Sequence, residues 1–127
     1  MVDADGEVLA HLPLAGEGRW CLHWRHSVTG GAVADCFQSK DGRLVLERSF
    51  LHDFAAGLGH LPGRGDQRPA DGGGYWIEGI DETMPGGAVS LRVGQGAVGH
   101  RIESGPAALD LTALAAGRRV TLRPSGE

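Results

Sequence analysis

The chain has 127 residues, a formal net charge of −4 and a hydrophobic fraction of 41%. This size and composition favour one globular domain over residues 1–127 and exclude a wholly disordered protein. Lys40 is the one lysine and the arginines form no basic run, so nucleic acid is not an expected partner, because phosphate binding needs a basic stripe.

The first half of the chain alternates short apolar segments with glycine-containing turns. Strands are predicted over residues 8–14, 19–28, 32–39 and 43–50. In the second of these, Trp20, Leu22 and Trp24 share one face, which is the period of two of a half-buried strand. Consecutive strands joined by tight turns predict an antiparallel sheet.

The middle of the chain, residues 51–74, is predicted to be a long irregular loop. It contains seven glycines and two prolines, which interrupt regular secondary structure. A loop of this length in a compact domain is often functional or mobile.

Strands are predicted again beyond the loop, over residues 75–80, 88–93, 97–104 and 118–123. The middle two are expected to pair as a hairpin across Gly94-Gln95-Gly96. Residues 107–116 carry leucines at helical spacing and are predicted to form one short helix. About eight strands and one helix predict an all-β fold, either an antiparallel β-sandwich or a partly open β-barrel.

Two cysteines, Cys21 and Cys36, leave two interpretations open. If they lie on paired strands they can form a disulfide, which would suit an oxidising compartment. Otherwise they are two small buried thiols.

The location of the protein depends on whether a leader has been removed. The first residues, MVDADGEV, are acidic where a signal peptide has basic residues followed by an apolar run. We therefore expect a cytoplasmic protein, or a periplasmic or otherwise extracytoplasmic one if a leader was cleaved. No window approaches the roughly 18 to 20 apolar residues of a membrane helix, so no transmembrane segment is expected.

His26 and Ser27 stand side by side at the end of the second predicted strand. Neighbouring strand residues point to opposite faces, so they are not expected to form a nucleophile and its base. No G-x-S-x-G elbow surrounds Ser27 either. The alternatives are polar groups that bond to the turn backbone, or a site in which the carboxylate of Asp35 holds His26 and raises its pKa.

Neither a metal nor a cofactor is predicted. The six histidines include no H-x-x-x-H or H-E-x-x-H pair. The glycines around Gly57 lack a phosphate-loop motif and are expected to form a lid or wall beside the sheet. Arg92 is interpreted either as a bidentate carboxylate ligand or as a solvated surface arginine.

Several short motifs, taken in order, resemble one known family. They are His26-Ser27-Val28, Val33-Ala34-Asp35, Leu44-Val45-Leu46-Glu47, residues 50–58, Tyr75-Trp76-Ile77, Leu91-Arg92-Val93-Gly94, His100-Arg101-Ile102 and residues 114–117. These motifs and their order resemble those of the bacterial DUF1850 family, a set of small proteins of unknown function. The resemblance implies an association with TRAP-type transporters of the TAXI kind, which take up small organic anions with a periplasmic binding protein. It also implies an extracytoplasmic location and no assigned activity.

The sequence departs from the family pattern at three places. Thr29 stands where a glutamate usually follows His-Ser-Val, and Asp35 replaces a usual glutamate. The segment typified by Gly-Ala-Gly-Leu-Pro reads Ala-Ala-Gly-Leu-Gly over residues 55–59. A site that needs a carboxylate at position 29 would be lost here.

Three functions remain as hypotheses. The first is a non-enzymatic module that binds a small organic anion or a transporter component through His26, Ser27, Asp35, Gly57 and Arg92. The second is a small hydrolase-like enzyme with His26 as general base against Asp35. The third is a structural interaction domain. We expect the first, with no catalytic residue.

Overall fold

The computed structural model of the protein describes residues 2–14, 17–25, 31–52, 66–70, 73–94 and 98–124. These residues form twelve strands and one α-helix. The elements in chain order are β1 (Val2–Ala4), β2 (Glu7–Ala10), β3 (Arg19–Arg25), β4 (Ala32–Lys40), β5 (Arg43–Leu51), β6 (Asp66–Pro69), β7 (Tyr75–Glu78), β8 (Glu82–Thr83), a 3-10 turn (Pro85–Gly87), β9 (Val89–Arg92), β10 (Arg101–Ser104), β11 (Ala107–Asp110), α1 (Leu111–Ala115) and β12 (Arg119–Leu122).

The strands form two antiparallel sheets. The small sheet has the strand order β2-β1-β12-β9, and the large sheet has the order β11-β10-β3-β4-β5-β7-β6, with β8 also pairing with β5. This arrangement confirms the predicted all-β class with a short helix near the C-terminus.

The predicted meander from β3 to β5 is confirmed. Trp20 on β3 lies opposite Phe37 on β4, and Phe37 lies opposite Leu46 on β5. A two-residue turn joins β4 to β5, with φ of 52° at Asp41 and 76° at Gly42. Positive φ at both central residues is the geometry that matches the twist of a tight hairpin.

The predicted hairpin between residues 88–93 and 97–104 is wrong. β9 pairs with β12 in the small sheet, whereas β10 pairs with β3 and β11 in the large sheet. The N–H of Val93 donates to the carbonyl of Arg118 at 2.8 Å, which continues the attachment of this segment to the chain before β12. Strand partners are set by which faces can be buried together, and neighbours in sequence do not always satisfy this.

The helix predicted over residues 107–116 divides into a strand and a shorter helix. Ala107–Asp110 is β11, which forms a hairpin with β10, and the helix begins only at Leu111. The Asp110 carboxylate accepts a hydrogen bond from the N–H of Ala113 at 3.0 Å, which caps the first turn. Within the ranges described, no helix has the length and apolar character needed to cross a membrane.

Two other predicted segments also differ from the structure. The strand predicted at residues 8–14 is shorter in the structure, where β2 ends at Ala10, and β2 pairs with β1, which was not predicted. The loop predicted over residues 51–74 contains β6, which pairs with β7. Polar Asp66-Gln67-Arg68 gives β6 no apolar alternation, so the sequence pattern carries no strand signal there.

The core lies between the two sheets. The small sheet contributes Val2, Val120 and Leu122, each 1–2% exposed. The large sheet contributes Trp20 and Phe37 to the same cluster, and their rings stack with centroids 4.7 Å apart. The predicted inward face of β3 is therefore the face that packs against the small sheet.

Candidate functional site

A cavity of about 460 Å³ opens between the two sheets. The large sheet lines it with Trp20, Leu44 and Ile102, and the small sheet lines it with Val2 and Leu122. All five residues are buried. Val2 and Leu122 are directly opposite each other on β1 and β12, so both point from the small sheet toward the large one.

One end of the cavity is formed where β3 begins beside the end of β4. The N–H of Ser39 donates to the carbonyl of Gly18 at 2.9 Å, and both residues line the cavity. Gly18 has φ of +80°, and a Cβ there would lie 3.3 Å from Ser39 Cβ. Glycine at this position thus allows the chain to enter β3 close to β4.

The side of the cavity is formed by the segment that follows β2. Leu12, Pro13 and Leu14 line it on the path from β2 in the small sheet to β3 in the large one. Leu12 is half-buried, whereas Leu14 is 38% exposed. The apolar lining therefore continues from the core to the surface.

Charged side chains lie at the edge of this cavity. Arg123 lines it, and its Nε lies 2.9 Å from Oδ2 of Asp3. Glu17 also lines it, and its Oε1 accepts a hydrogen bond from Nη1 of Arg19 at 2.6 Å. Aliphatic and aromatic walls with a few polar groups at the mouth are the usual composition of a small-molecule site.

Of the residues predicted from the sequence to form a ligand site, three lie outside the described residues. They are His26, Ser27 and Gly57. Asp35 and Arg92 are described, and neither is among the residues that line the cavity.

Asp35 lies on the inward face of the large sheet. It is opposite Leu22 on β3 and Ser49 on β5, and it is half-buried. Its Oδ1 accepts a hydrogen bond from Oγ of Ser49 at 2.6 Å. The carboxylate therefore has a hydroxyl donor within the sheet itself.

Arg92 lies on the outward face of the small sheet. It is opposite Arg119, and both are exposed. Its Nη1 donates to the carbonyl of Gly117 at 2.8 Å. Arg92 and Asp35 thus belong to different sheets and face different sides of the fold.

The cavity itself was not predicted from the sequence. Trp20 was predicted to face the core, but no pattern predicted that Leu12 and Arg123 would line the same cavity. The cavity forms where the paired strands β1 and β12 lie over the start of β3. Because that pairing joins segments far apart in sequence, local patterns do not indicate it. No local sequence pattern indicates the cavity, because Arg123 was predicted only as the last residue of the strand over residues 118–123.

His100 lies in a hydrogen-bonded corner beside the large sheet. Its Nδ1 accepts a hydrogen bond from the backbone N–H of Gly94 at 2.7 Å, and its backbone N–H donates to Oγ1 of Thr112 at 3.0 Å. Thr112 in turn donates to the carbonyl of Gly94 at 2.8 Å, and the imidazole stacks on Trp24 with centroids 5.5 Å apart. Burial lowers the pKa of His100, so this corner holds a neutral imidazole.

A second histidine, His23, lies on the outward face of the large sheet. Its Nε2 is 3.4 Å from Glu103, which also accepts a hydrogen bond from Arg101 at 2.7 Å. The Arg101 hydrogen bond lowers the pKa of Glu103, while burial lowers the pKa of His23. Across the described ranges, no group of three or more His, Cys, Asp or Glu side chains is arranged to hold a metal ion.

The two cysteines form a disulfide. Cys21 on β3 lies directly opposite Cys36 on β4, with their Cα atoms 4.0 Å apart. Of the two interpretations left open by the sequence, the structure thus shows the cross-linked one. The bond joins the neighbouring strands β3 and β4 of the large sheet on its outward face.

Comparison with known protein families decides the affiliation of the chain. A family model described as a domain of unknown function, DUF1850, matches residues 21–111. The chain belongs to the DUF1850 family. The resemblance seen in the short motifs is thereby confirmed. Comparisons with curated proteins and with solved structures find no match.

The matched span covers only part of the cavity wall. It runs from Cys21, the third residue of β3, to the first residue of α1, and so includes Leu44 and Ile102 but not Trp20. The strands that supply Val2 and Leu122 lie outside it, as does Arg123. The side of the cavity formed by the small sheet is therefore built mainly by segments beyond the matched DUF1850 region.

Proposed function

We propose that this DUF1850 domain is a non-enzymatic binding module that takes a small organic molecule into the cavity between its sheets. The observation that carries the proposal is the cavity itself. Its volume of about 460 Å³ is within the range of about 300–1,000 Å³ found for small-molecule sites. Its buried wall is apolar, and its charged side chains are confined to the edge, which suits binding better than bond-breaking chemistry.

We also propose that the domain works outside the cytoplasm as an accessory to a TRAP-type transporter. The Cys21–Cys36 disulfide supports the location, because such bonds persist mainly in oxidising compartments. The transporter as partner rests on the family resemblance.

The hydrolase-like alternative, with His26 as base against Asp35, stays a prediction, as does the purely structural one. His26 lies outside the described residues, and Asp35 accepts a hydrogen bond from Ser49 on the neighbouring strand. No described contact favours either alternative over binding.

The proposal is tested by filling the cavity. Leu12→Trp adds bulk on the side wall of the cavity. Val8→Trp is the control, because Val8 lies on β2, is 49% exposed and receives the same bulk outside the cavity. Thermal unfolding is measured for both variants and the wild type against a panel of small carboxylates, alcohols and amines.

We expect one or more compounds to stabilise the wild type and Val8→Trp but not Leu12→Trp. A ligand at about 100 times its Kd stabilises the folded state by about 2.7 kcal/mol, which such a measurement resolves easily. A panel that leaves the wild type unshifted contradicts the proposal, and so does an equal response of a folded Leu12→Trp.

A further inference from the structure

We infer that the ligand of this cavity is an uncharged aliphatic molecule that carries one hydrogen-bonding oxygen, as a fatty alcohol does. The inference rests on the proposed function and names the class of molecule that the same site takes. It differs from the small organic anion predicted from the sequence, because the charges at the edge of the cavity are already paired within the protein.

The deep part of the cavity favours a hydrocarbon. Leu44 and Leu122 are only 1% and 2% exposed, and their side chains offer no hydrogen-bonding atom to a ligand. A polar group placed against them would lose its water without gaining a partner. Each methylene buried there instead strengthens binding about fourfold, given the usual transfer free energy of a CH₂ group.

The positive charge at the edge of the cavity has partners in the protein. Nε of Arg123 lies 2.9 Å from Oδ2 of Asp3, and Arg123 makes a further interaction besides this one. The Asp3 side chain is only 14% exposed, so it stays beside the guanidinium. A carboxylate that approached Arg123 would compete with Asp3 and be repelled by its charge. An anionic head group therefore gains little here.

The negative charge at the edge is paired as well. Oε1 of Glu17 lies 2.6 Å from Nη1 of Arg19, and Nε of Arg19 lies 3.1 Å from Glu47. The Glu17 side chain is 75% exposed, so water and salt also screen its charge. An ammonium head group therefore gains as little from Glu17 as a carboxylate gains from Arg123.

The backbone around the cavity also gives an anion little to bind. Pro13 and Pro124 both line the cavity, and proline has no N–H to donate. The N–H of Ser39 is already bonded to the carbonyl of Gly18 at 2.9 Å. Anion sites without a cation are built from several backbone N–H groups directed at the ligand, and these three positions supply none.

The uncharged polar groups of the lining lie beside the apolar wall. Among the described residues that line the cavity, these groups are the Ser39 hydroxyl and the indole N–H of Trp20. Ser39 is directly opposite Leu44 across β4 and β5, so the two side chains share one face of the sheet. A hydroxyl both donates and accepts, and an indole N–H donates. A ligand oxygen can therefore find a partner here without bringing a charge into the cavity.

An ionised head group has no favourable position relative to this wall. Inside the cavity it loses its water without meeting an opposite charge, which costs far more than burying a hydroxyl. Outside the cavity it keeps its water but makes no hydrogen bond with Ser39. An alcohol of the same chain length avoids both costs.

The test compares four probes by isothermal titration calorimetry: octan-1-ol, hexan-1-ol, octanoate and octylamine. The three eight-carbon probes share the chain and differ in the head group, whereas the two alcohols differ by two methylenes. The proteins are the wild type and Ser39→Ala. Ser90→Ala is the matched control, because Ser90 is an exposed serine on β9.

We expect octan-1-ol to bind the wild type about tenfold more tightly than either octanoate or octylamine. It should bind about fifteenfold more tightly than hexan-1-ol, given the transfer free energy of two methylenes. Ser39→Ala should weaken octan-1-ol about fivefold, as expected for the loss of one hydrogen bond between uncharged groups. Ser90→Ala should bind octan-1-ol as the wild type does.

Two results overturn the inference while leaving the proposed function in place. One is that octanoate or octylamine binds the wild type as tightly as octan-1-ol, or more tightly. The other is that octan-1-ol binds Ser39→Ala and the wild type equally. If none of the probes and no compound of the wider panel binds the wild type, the proposed function fails as well.

Discussion

The Nδ1 atom of His100 accepts a hydrogen bond of 2.7 Å from the backbone N–H of Gly94. A ring nitrogen that accepts such a bond carries no proton, so protonation at this atom removes the bond. Burial of the ring lowers the pKa of His100 as well. Both effects disfavour the imidazolium form in the folded protein.

The first prediction is that acid destabilises the fold through His100. Its folded pKa lies below the unfolded value of about 6.5, so the unfolded state binds more protons as the pH falls below that value. The contribution of His100 to the free energy of unfolding is therefore fully present above about pH 6.5 and is lost as the pH falls toward the folded pKa. Urea unfolding between about pH 7.5 and pH 5 measures this loss.

His100→Asn is the variant that separates this contribution from others. The asparagine carbonyl can replace Nδ1 as an acceptor but does not titrate. We expect the free energy of unfolding of this variant to depend less steeply on pH than that of the wild type. Some pH dependence remains, because burial also lowers the pKa of His23. Parallel pH curves for the two proteins would contradict the prediction.

The second prediction concerns the Cys21–Cys36 disulfide. It links residues separated by 15 positions. Closing a loop of that size lowers the conformational entropy of the unfolded chain, which raises the free energy of unfolding by about 3 kcal/mol in the chain-entropy description. The double variant Cys21→Ala/Cys36→Ala should lose this amount in the free energy of unfolding. Urea unfolding with and without dithiothreitol measures it.

Reductant provides the control for that variant. Reduced wild type should approach the double variant in stability, and the double variant should not respond to dithiothreitol. If the wild type unfolds at the same urea concentration in both conditions, the cross-link has no stabilising effect and the prediction is wrong.

The third prediction concerns the hydrogen bond of 2.6 Å between Ser49 and Asp35. Ser49→Ala leaves the half-buried carboxylate without that donor and should lower the free energy of unfolding by about 1–3 kcal/mol. Ser90→Ala, at an exposed serine on β9, should change it by less than about 0.5 kcal/mol. Equal unfolding midpoints in urea for the two variants would show that the bond contributes nothing measurable.

The fourth prediction concerns the start of α1. Asp110→Ala removes the side chain that accepts the N–H of Ala113 and should cost about 1 kcal/mol. Asp110→Asn keeps an acceptor oxygen and should cost much less. The unfolding temperatures of the two variants check this prediction. If Asp110→Asn loses as much stability as Asp110→Ala, the effect comes from the charge of Asp110 and not from the helix cap.

The meander from β3 to β5 could be predicted from the sequence because its determinants are local. Trp20, Leu22 and Trp24 alternate with polar residues, and Asp41-Gly42 supplies the two positive φ values that the turn requires. Each strand then pairs with its neighbour in sequence, so no long-range choice of partner is involved.

The pairing of β9 could not be predicted in the same way. Gly94-Gln95-Gly96 indicates a turn, but β9 packs beside β12 because Leu91 and Val120 are opposite each other and face the core. The leucines of residues 107–116 fit a helix and a strand about equally well, and only the pairing of Leu109 with Ile102 settles the first part as a strand.

The candidate site shows the same division between local and distant determinants. Asp35 could be identified from its place on a predicted strand, but its orientation depends on the partners that β4 finds on both sides. The cavity had no sequence signal, because Val2 and Trp20 line it from strands in different sheets.

The pairing of Val2 with Leu122 also has a consequence for biosynthesis. A chain emerges from the ribosome starting at its N-terminus, so β1 and β2 are made long before β12. The apolar face of Val2 and Ala4 therefore stays uncovered until β12 arrives, while the meander from β3 to β5 is already able to pair. The cavity between the sheets is thus the last part of the fold to be completed, and a nascent chain stalled before β12 would expose that face to chaperones and to other chains.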